Sequence, residues 1–127
     1  MDAAGAAKKP SESQEQQALI QWWRLAHGKY GVGEHLLLHV ANEGTGSAVR
    51  GRMQKRMGLR AGCPDLFLAV PCGEFSGLWL EMKRREGGRV SPEQADFLLS
   101  LKTMGYAAEV CRGAEKAIQA IDKYLRQ

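Results

Sequence analysis

The chain has 127 residues, a length typical of one domain with a single hydrophobic core. Its hydrophobic content of 44% and charged content of 25% are those of an ordinary folded domain, and no apolar run approaches the ~20 residues needed to cross a bilayer. The formal net charge of +4 is compatible with a polyanionic partner but does not by itself establish one.

The cysteines and the first residues of the chain indicate a reducing compartment. Cys63, Cys72 and Cys111 have no zinc-site spacing, and any disulfide scheme leaves one of them unpaired. Met1 leads into a segment rich in Ala, Gly and Lys that lacks the hydrophobic stretch of a secretory signal. We therefore expect a cytoplasmic protein with no membrane partner.

Residues 1–10 carry too little apolar surface to pack, which predicts a disordered tail followed by a single domain over 11–127. Ser11 has the residue type of a helix N-cap, and Gln14 completes a capping box. An apolar stripe follows at helical spacing: Ala18, Leu19, Trp22, Leu25 and Ala26.

Two features of this first helix have alternative interpretations. We interpret Trp22 and Trp23 as core and rim aromatics rather than as a platform for a base. Glu15 lies two turns before Trp22 on the same face, where a buried carboxylate requires a partner. The alternative is that Glu15 stays solvated in the first turn and interacts favourably with the helix dipole.

Residues 36–41 form a short apolar run that predicts a strand buried on both faces, followed by a turn over 42–47. His39 lies inside this run. We favour a structural histidine there over a catalytic base, because a lone histidine in an apolar strand usually has a structural role.

A second helix is predicted from Ser47 to about Leu59. Val49, Met53 and Met57 recur every four residues and give it one apolar face. The rest of the segment is basic: Arg50, Arg52, Lys55, Arg56 and, just beyond the helix, Arg60. This basic surface is either solvated or a phosphate contact, and the absence of any Asp or Glu between positions 43 and 65 favours the phosphate contact.

Residues 62–85 contain two apolar runs joined by a loop rich in turn formers at 71–77, which predicts a β-hairpin. With the loop centred near position 74, Asp65 lies opposite Lys83 and diagonal to Glu81, all on one face. Two carboxylates on one face suit a hard divalent cation, and the ammonium suits a phosphate or a water. The alternative is a cross-strand salt bridge, which contributes only about 0–1 kcal/mol when exposed.

A basic, glycine-rich turn follows the hairpin over residues 84–90, where backbone can approach a phosphate. Ser91 and Pro92 then begin a third helix in which Gln94 completes a capping box. A last strand at 106–111 precedes a closing amphipathic helix. The order of elements predicts an α/β protein with a central mixed β-sheet flanked by helices.

Pro64-Asp65 followed by Glu81-Met82-Lys83 resembles the signature of PD-(D/E)XK nucleases. Two further segments resemble the VRR-NUC branch, the virus-type replication-repair nucleases: Gly62 to Leu66 and Ser91 to Gln94. The resemblance extends from about Glu15 to the end of the chain. It implies the restriction-endonuclease-like core of that superfamily.

The resemblance also implies a site for Mg²⁺ or Mn²⁺, whose ligands would be Asp65, Glu81, Glu15 and the backbone carbonyl of Met82. Glu15 is the best match to the acidic residue that the family carries on its first helix, and Glu12 is less well placed. Lys83 would position the attacking water or stabilise the phosphate, with Gln94 beside it. Asn42 and Glu43 match an Asn-Glu pair close to the family's active site.

Small members of this family resemble homodimeric enzymes that cut four-way (Holliday) junctions. The expected function is therefore metal-dependent cleavage of branched DNA by a bacterial or phage-encoded homodimer. The phosphate-binding residues would be those of the second helix together with Arg84, Arg85 and Arg89. The alternatives are a flap or other structure-specific nuclease of the same fold, and a nucleic-acid-binding module without catalysis.

Overall fold

The computed structural model describes residues 8–40 and 48–127. Within these ranges four strands form one sheet: β1 (Leu37–His39), β2 (Leu66–Leu68), β3 (Leu78–Lys83) and β4 (Ala107–Arg112). The same ranges contain four α-helices: α1 (Glu12–Ala26), α2 (Ala48–Arg56), α3 (Pro92–Thr103) and α4 (Ala114–Leu125). Short 3₁₀ turns at His27–Tyr30 and Glu34–Leu36 connect α1 to β1.

The sheet is mixed, as predicted, and its strands lie in chain order. β1, β2 and β3 pair antiparallel, whereas β3 and β4 pair parallel with α3 in the connection between them. Helices α1 and α4 pack on each other and on β3, while α3 packs on β4. The predicted α/β fold with flanking helices is confirmed.

The core forms where side chains of α1 and α4 meet one face of β2 and β3. On the sheet, alternate residues point to this face and are fully buried: Leu66, Leu68, Leu78, Leu80 and Met82. Leu19 and Trp23 of α1 and Ile121 of α4 complete it, each no more than 1% exposed. Cys111 is buried in the same cluster.

Helix α1 begins with the predicted capping box, in which the Gln14 backbone N–H donates to Ser11 Oγ at 3.1 Å. The predicted stripe was partly wrong, because Leu25 is 91% exposed and Trp23 rather than Trp22 is the core aromatic. Trp23 can be fully buried because its indole N–H donates to the carbonyl of Glu34 at 2.8 Å.

The prediction of a first strand buried on both faces was wrong. β1 is only three residues long, lies at the edge of the sheet and pairs with β2 alone. Its Leu38 is 41% exposed and its His39 is exposed as well. An apolar run of this length does not distinguish a central strand from an edge strand, because both have the same local sequence.

The hairpin register differs from the predicted one by two residues. Leu66 lies opposite Leu80 and Leu68 opposite Leu78, so continuation of the ladder places Asp65 opposite Glu81 rather than Lys83. Backbone hydrogen bonds between Cys72 and Phe75 close the tip of the hairpin. Between the tip and the paired strands, the segment after β2 has one more unpaired residue than the segment before β3. A shift of two residues keeps every side chain on its face, so the carboxylates still lie together.

The described part of α2 lies within the predicted span, whose expected cap, Ser47, is outside the described residues. Met53 and Met57, from the predicted apolar face, are 52% and 79% exposed. This apolar face is therefore largely uncovered. Among the described residues, no helix combines the length and apolar character required to cross a bilayer.

Candidate metal centre

The loop before β2 fixes one side of the site by packing backbone against backbone. Gly62 adopts a φ of +83°, and a Cβ at this position would lie 2.6 Å from the carbonyl carbon and oxygen of Glu93. Only glycine tolerates both the conformation and the contact. The loop is therefore held against the first turn of α3, and buried Pro64 leads directly into Asp65.

Asp65 is oriented by the neighbouring strand. Its Oδ2 accepts a hydrogen bond from the backbone N–H of Met82 at 2.7 Å. β2 begins only at Leu66, so at this position a side-chain hydrogen bond takes the place of the next backbone hydrogen bond between β2 and β3. The Asp65 carboxylate is thereby held at the end of the sheet, beside Glu81.

Glu81 is almost completely buried, with 1% of its surface exposed. Its Oε2 lies 3.4 Å from Lys83 Nζ and accepts a hydrogen bond of 3.1 Å from Gln94 Nε2. Its Oε1 is buried and has no hydrogen-bond partner among the described residues. A buried carboxylate oxygen without a donor is costly, so the site has the character of one that receives a cation.

Glu12, the first residue of α1, completes an acidic group with the two sheet carboxylates. One oxygen each from Glu12, Asp65 and Glu81 lie within 4.8 Å of one another. Three convergent carboxylate oxygens are the donor set that hard cations such as Mg²⁺ and Mn²⁺ prefer. The residues present therefore suit a divalent metal ion.

The electrostatics of the group agree with this interpretation. Burial, and then the neighbouring Asp65 charge, raise the pKa of Glu81 to about 8. Burial also raises the pKa of Asp65, against the lowering effect of the Met82 hydrogen bond and the Lys83 charge. Two crowded carboxylates disfavour simultaneous ionisation, and a bound cation reverses that preference.

Glu15, predicted as the metal ligand of the first helix, is not part of the acidic group. It is 2% exposed, so the alternative of a solvated carboxylate was wrong. Its Oε2 accepts from Arg85 Nε at 2.8 Å, and its Oε1 accepts from the backbone N–H of Ala114 at 3.1 Å. Glu15 thus caps α4, whose own N-cap, Gly113, offers no side chain.

The sequence comparison favoured Glu15 as the acidic residue of the first helix over Glu12, which lies about one turn earlier, at the very start of α1. The sequence contains a signal for it: a carboxylate in the first turn can project beyond the helix end rather than toward the core. Which of the two acids reaches the sheet carboxylates depends on where the end of α1 docks, and the local sequence does not specify this.

The remaining predicted residues next to the site lie as follows. Gln94 forms the predicted capping box, because its Oε1 accepts from the Ser91 backbone N–H at 2.9 Å, and its Nε2 donates to Glu81 at 3.1 Å. The Lys83 side chain is 8% exposed. His39 Nδ1 lies 3.0 Å from the Asp65 carbonyl oxygen, so this exposed histidine borders the site. Asn42 and Glu43 lie outside the described residues.

The basic residues lie on two segments. Arg52, Lys55 and Arg56 of α2 are exposed, and Arg50 also belongs to this helix. In the turn after β3, Arg84 and Arg89 are exposed, whereas Arg85 pairs with Glu15.

A contact that sequence reasoning missed supports this glycine-rich turn. Arg112 Nη1 donates to the carbonyl of Gly88 at 2.7 Å, so the end of β4 is tied to the turn beside the site. On its other side, Lys9 Nζ lies 2.5 Å from Glu86 Oε1, although both side chains are largely exposed. We expect this exposed ion pair to contribute little to stability.

The family model of the VRR-NUC domain matches residues 10–115, most of the chain. The chain belongs to the VRR-NUC family. A solved structure described as a VRR-NUC domain protein superposes with a TM-score of 0.81 at 26% identity, covering 94% of this chain and 91% of that one. A search of curated proteins gave no match.

The resemblance seen in the sequence is thus confirmed. A VRR-NUC domain is a nuclease domain of the PD-(D/E)XK type, a class that typically uses divalent metals and acts on nucleic acid. The acidic group of Glu12, Asp65 and Glu81 could hold such a metal ion.

Proposed function

We propose that this VRR-NUC domain hydrolyses phosphodiester bonds in DNA with Mg²⁺ or Mn²⁺ held by Asp65, Glu81 and Glu12. The observation that carries the proposal is the convergence of three carboxylate oxygens within 4.8 Å, together with the unpartnered buried Oε1 of Glu81. The backbone carbonyl of Met82 is a fourth candidate ligand. Glu12 replaces Glu15 as the ligand from the first helix.

The chemistry divides between the cation and the side chains around it. A divalent cation polarises a phosphoryl oxygen and lowers the pKa of a water. Lys83 has its ammonium 3.4 Å from Glu81, where it can orient the attacking water or neutralise charge that develops on the phosphate. Gln94 holds Glu81 from the side of α3, so the Glu81 carboxylate is positioned before any ligand arrives.

The DNA backbone would contact the two basic segments of the chain. Arg50, Arg52, Lys55 and Arg56 form the contribution of α2, and Arg84 and Arg89 form that of the turn. Arg85 uses Nε for Glu15, but its side chain is 57% exposed, which leaves terminal nitrogens for a phosphate. Each phosphate neutralised in this way releases counterions and steepens the dependence of affinity on salt.

We favour branched DNA, and a four-way junction in particular, as the substrate of a homodimer. Two symmetric nicks across a junction require two active sites related by a two-fold axis. Flap cleavage and other structure-specific cleavage by the same site are the alternative enzymatic activities. A purely DNA-binding module is the non-enzymatic alternative, and the buried Lys83–Glu81 pair beside Asp65 argues against it.

The test is cleavage of labelled four-way junction, flap and linear duplex by wild type, Asp65→Asn and Lys83→Met. Asp96→Asn, which changes an exposed acid on α3, is the matched control. We expect paired symmetric cuts in the junction by wild type and by the control, and none by the other two variants. Preferred cutting of the flap would identify the flap, rather than the four-way junction, as the substrate. Binding without cutting under any metal would refute the nuclease proposal.

A further inference from the structure

A groove lies between the end of α2 and the side of α3, next to the metal centre. It has a volume of about 380 Å³ and is lined by Gln54, Met57, Gly58, Leu59, Arg60, Cys63 and Phe97. Cys63 precedes Asp65 by two residues, and the adjoining Gly62 packs on the turn of α3 that carries Gln94. The groove therefore opens beside the acidic group.

The walls of the groove are apolar. Met57 is 79% exposed, and Phe97 and Leu59 are half-buried beside it. Met53, one turn earlier on α2, is also half exposed. Methionine and phenylalanine side chains form adaptable surfaces for flat, polarisable groups.

The α2 side of this apolar groove is basic. Arg60 lines the groove, Arg52, Lys55 and Arg56 are exposed on α2, and the sequence has no Asp or Glu from position 48 to 64. An ordinary apolar partner would gain nothing from these charges, whereas a polyanion with exposed flat rings matches both features.

Gln54, one of the residues that line the groove, also carries a polar atom without a partner in the described part of the chain. Gln54 Oε1 is buried and has no hydrogen-bond partner among the residues that the structure describes. Such an atom is costly unless a donor reaches it. An amide in an apolar groove is also a group that hydrogen-bonds the edge of a nucleobase.

We propose that this groove receives an unpaired nucleobase of the substrate, which stacks on Met57 and Phe97 while Arg60 holds its phosphate. The inference rests on the proposed nuclease function and refines it, since it selects DNA with an unstacked base at a branch or flap over continuous duplex. Insertion of apolar side chains against unstacked bases is an established mode of DNA distortion.

The test is binding of two DNAs in the presence of Ca²⁺ in place of Mg²⁺. One is a fully paired duplex, and the other carries an unpaired 2-aminopurine beside the branch of a flap. The variants are Met57→Ser and, as matched control, Met104→Ser, which changes a methionine that is 72% exposed at the end of α3 and does not line the groove. Both side chains are exposed, so folding is preserved.

We expect Met57→Ser to weaken binding to the flap at least about five-fold and to lose the change in 2-aminopurine fluorescence that wild type produces, with duplex affinity nearly unchanged. Met104→Ser should behave as wild type. Equal effects of the two variants would overturn the proposal, even where wild type cuts DNA with Mg²⁺. A loss of dimer mass in Met57→Ser by sedimentation would also overturn it, because the groove would then be a subunit interface.

This design separates the two proposals. If wild type fails to cut any DNA with Mg²⁺ or Mn²⁺, the nuclease proposal fails, whatever the binding data show. If wild type cuts and Met57→Ser has no selective effect on the flap, only the base-binding groove fails.

Discussion

Replacement of Glu15 by glutamine should destabilise the protein, because Glu15 links α1, the end of β3 and the start of α4. The buried carboxylate receives two hydrogen bonds, 2.8 Å from Arg85 Nε and 3.1 Å from the backbone N–H of Ala114. Glutamine keeps the size of the side chain but removes the charge that favours both contacts. It also brings an amide NH₂ that the site does not need.

The expected loss follows from how exposed the partners are. Removal of one member of a fully buried pair costs about 3–5 kcal/mol, whereas charged hydrogen bonds contribute about 1.5–3 kcal/mol. The Arg85 side chain is 57% exposed and can be rehydrated, so the lower range applies. We expect Glu15→Gln to lower the free energy of unfolding by about 1.5–3 kcal/mol, which leaves a typical domain folded.

The assay is urea denaturation of the metal-free protein at pH 7, for Glu15→Gln, Arg85→Gln and the double variant. The double-mutant cycle should give a coupling energy between Glu15 and Arg85 that differs clearly from zero, because the two side chains are in contact. Glu74→Gln, an exposed change in the hairpin loop, should shift stability by less than about 0.5 kcal/mol. A Glu15→Gln variant as stable as wild type would refute the structural role of Glu15.

Three further predictions follow from the same contacts. Gly62→Ala should lower the free energy of unfolding by more than about 1 kcal/mol and reduce cleavage. Gly28→Ala, whose added Cβ would meet no atom within 4 Å, should be nearly neutral. Denaturation and cleavage assays check both variants. The folded-state pKa of Glu81 is about 8, above its usual 4.5, so the metal-free protein should lose stability as the pH rises from about 4.5 to about 8. Glu81→Gln should weaken this dependence, and denaturation across that pH range measures it. Gln94→Glu should keep the capping box but repel Glu81, which lowers cleavage activity at least about ten-fold. Ser91→Ala should lower the free energy of unfolding by about 1 kcal/mol and leave cleavage activity unchanged.

Local sequence signals were reliable where the interaction spans a few residues. Both capping boxes, Ser11 with Gln14 and Ser91 with Gln94, form as predicted, because partners three residues apart meet in any helix start. The order of strands and helices was likewise predicted from hydrophobic periodicity and turn residues. The spacing of Asp65 and Glu81 sufficed to place them on one face, since a register error of two residues does not change the face.

The rest depends on contacts between distant parts of the chain. Glu15 and Arg85 are 70 positions apart, and Glu15 and Ala114 are 99 apart, so no local pattern indicates that these groups meet. The choice between Glu12 and Glu15 as the third acid follows from the docking of α1. The exposure of β1 follows from its place at the sheet edge, which the tertiary fold decides.

The central claim is that Glu12, rather than Glu15, joins Asp65 and Glu81 around the cation. The most direct measurement is a calorimetric Mn²⁺ titration of wild type, Glu12→Gln and Glu15→Gln, normalised to the folded fraction of each protein. We expect Glu12→Gln to lose at least about ten-fold in Mn²⁺ affinity, while folded Glu15→Gln binds Mn²⁺ as wild type does. Loss of affinity in Glu15→Gln, with Glu12→Gln unchanged, would contradict the assignment of the metal centre.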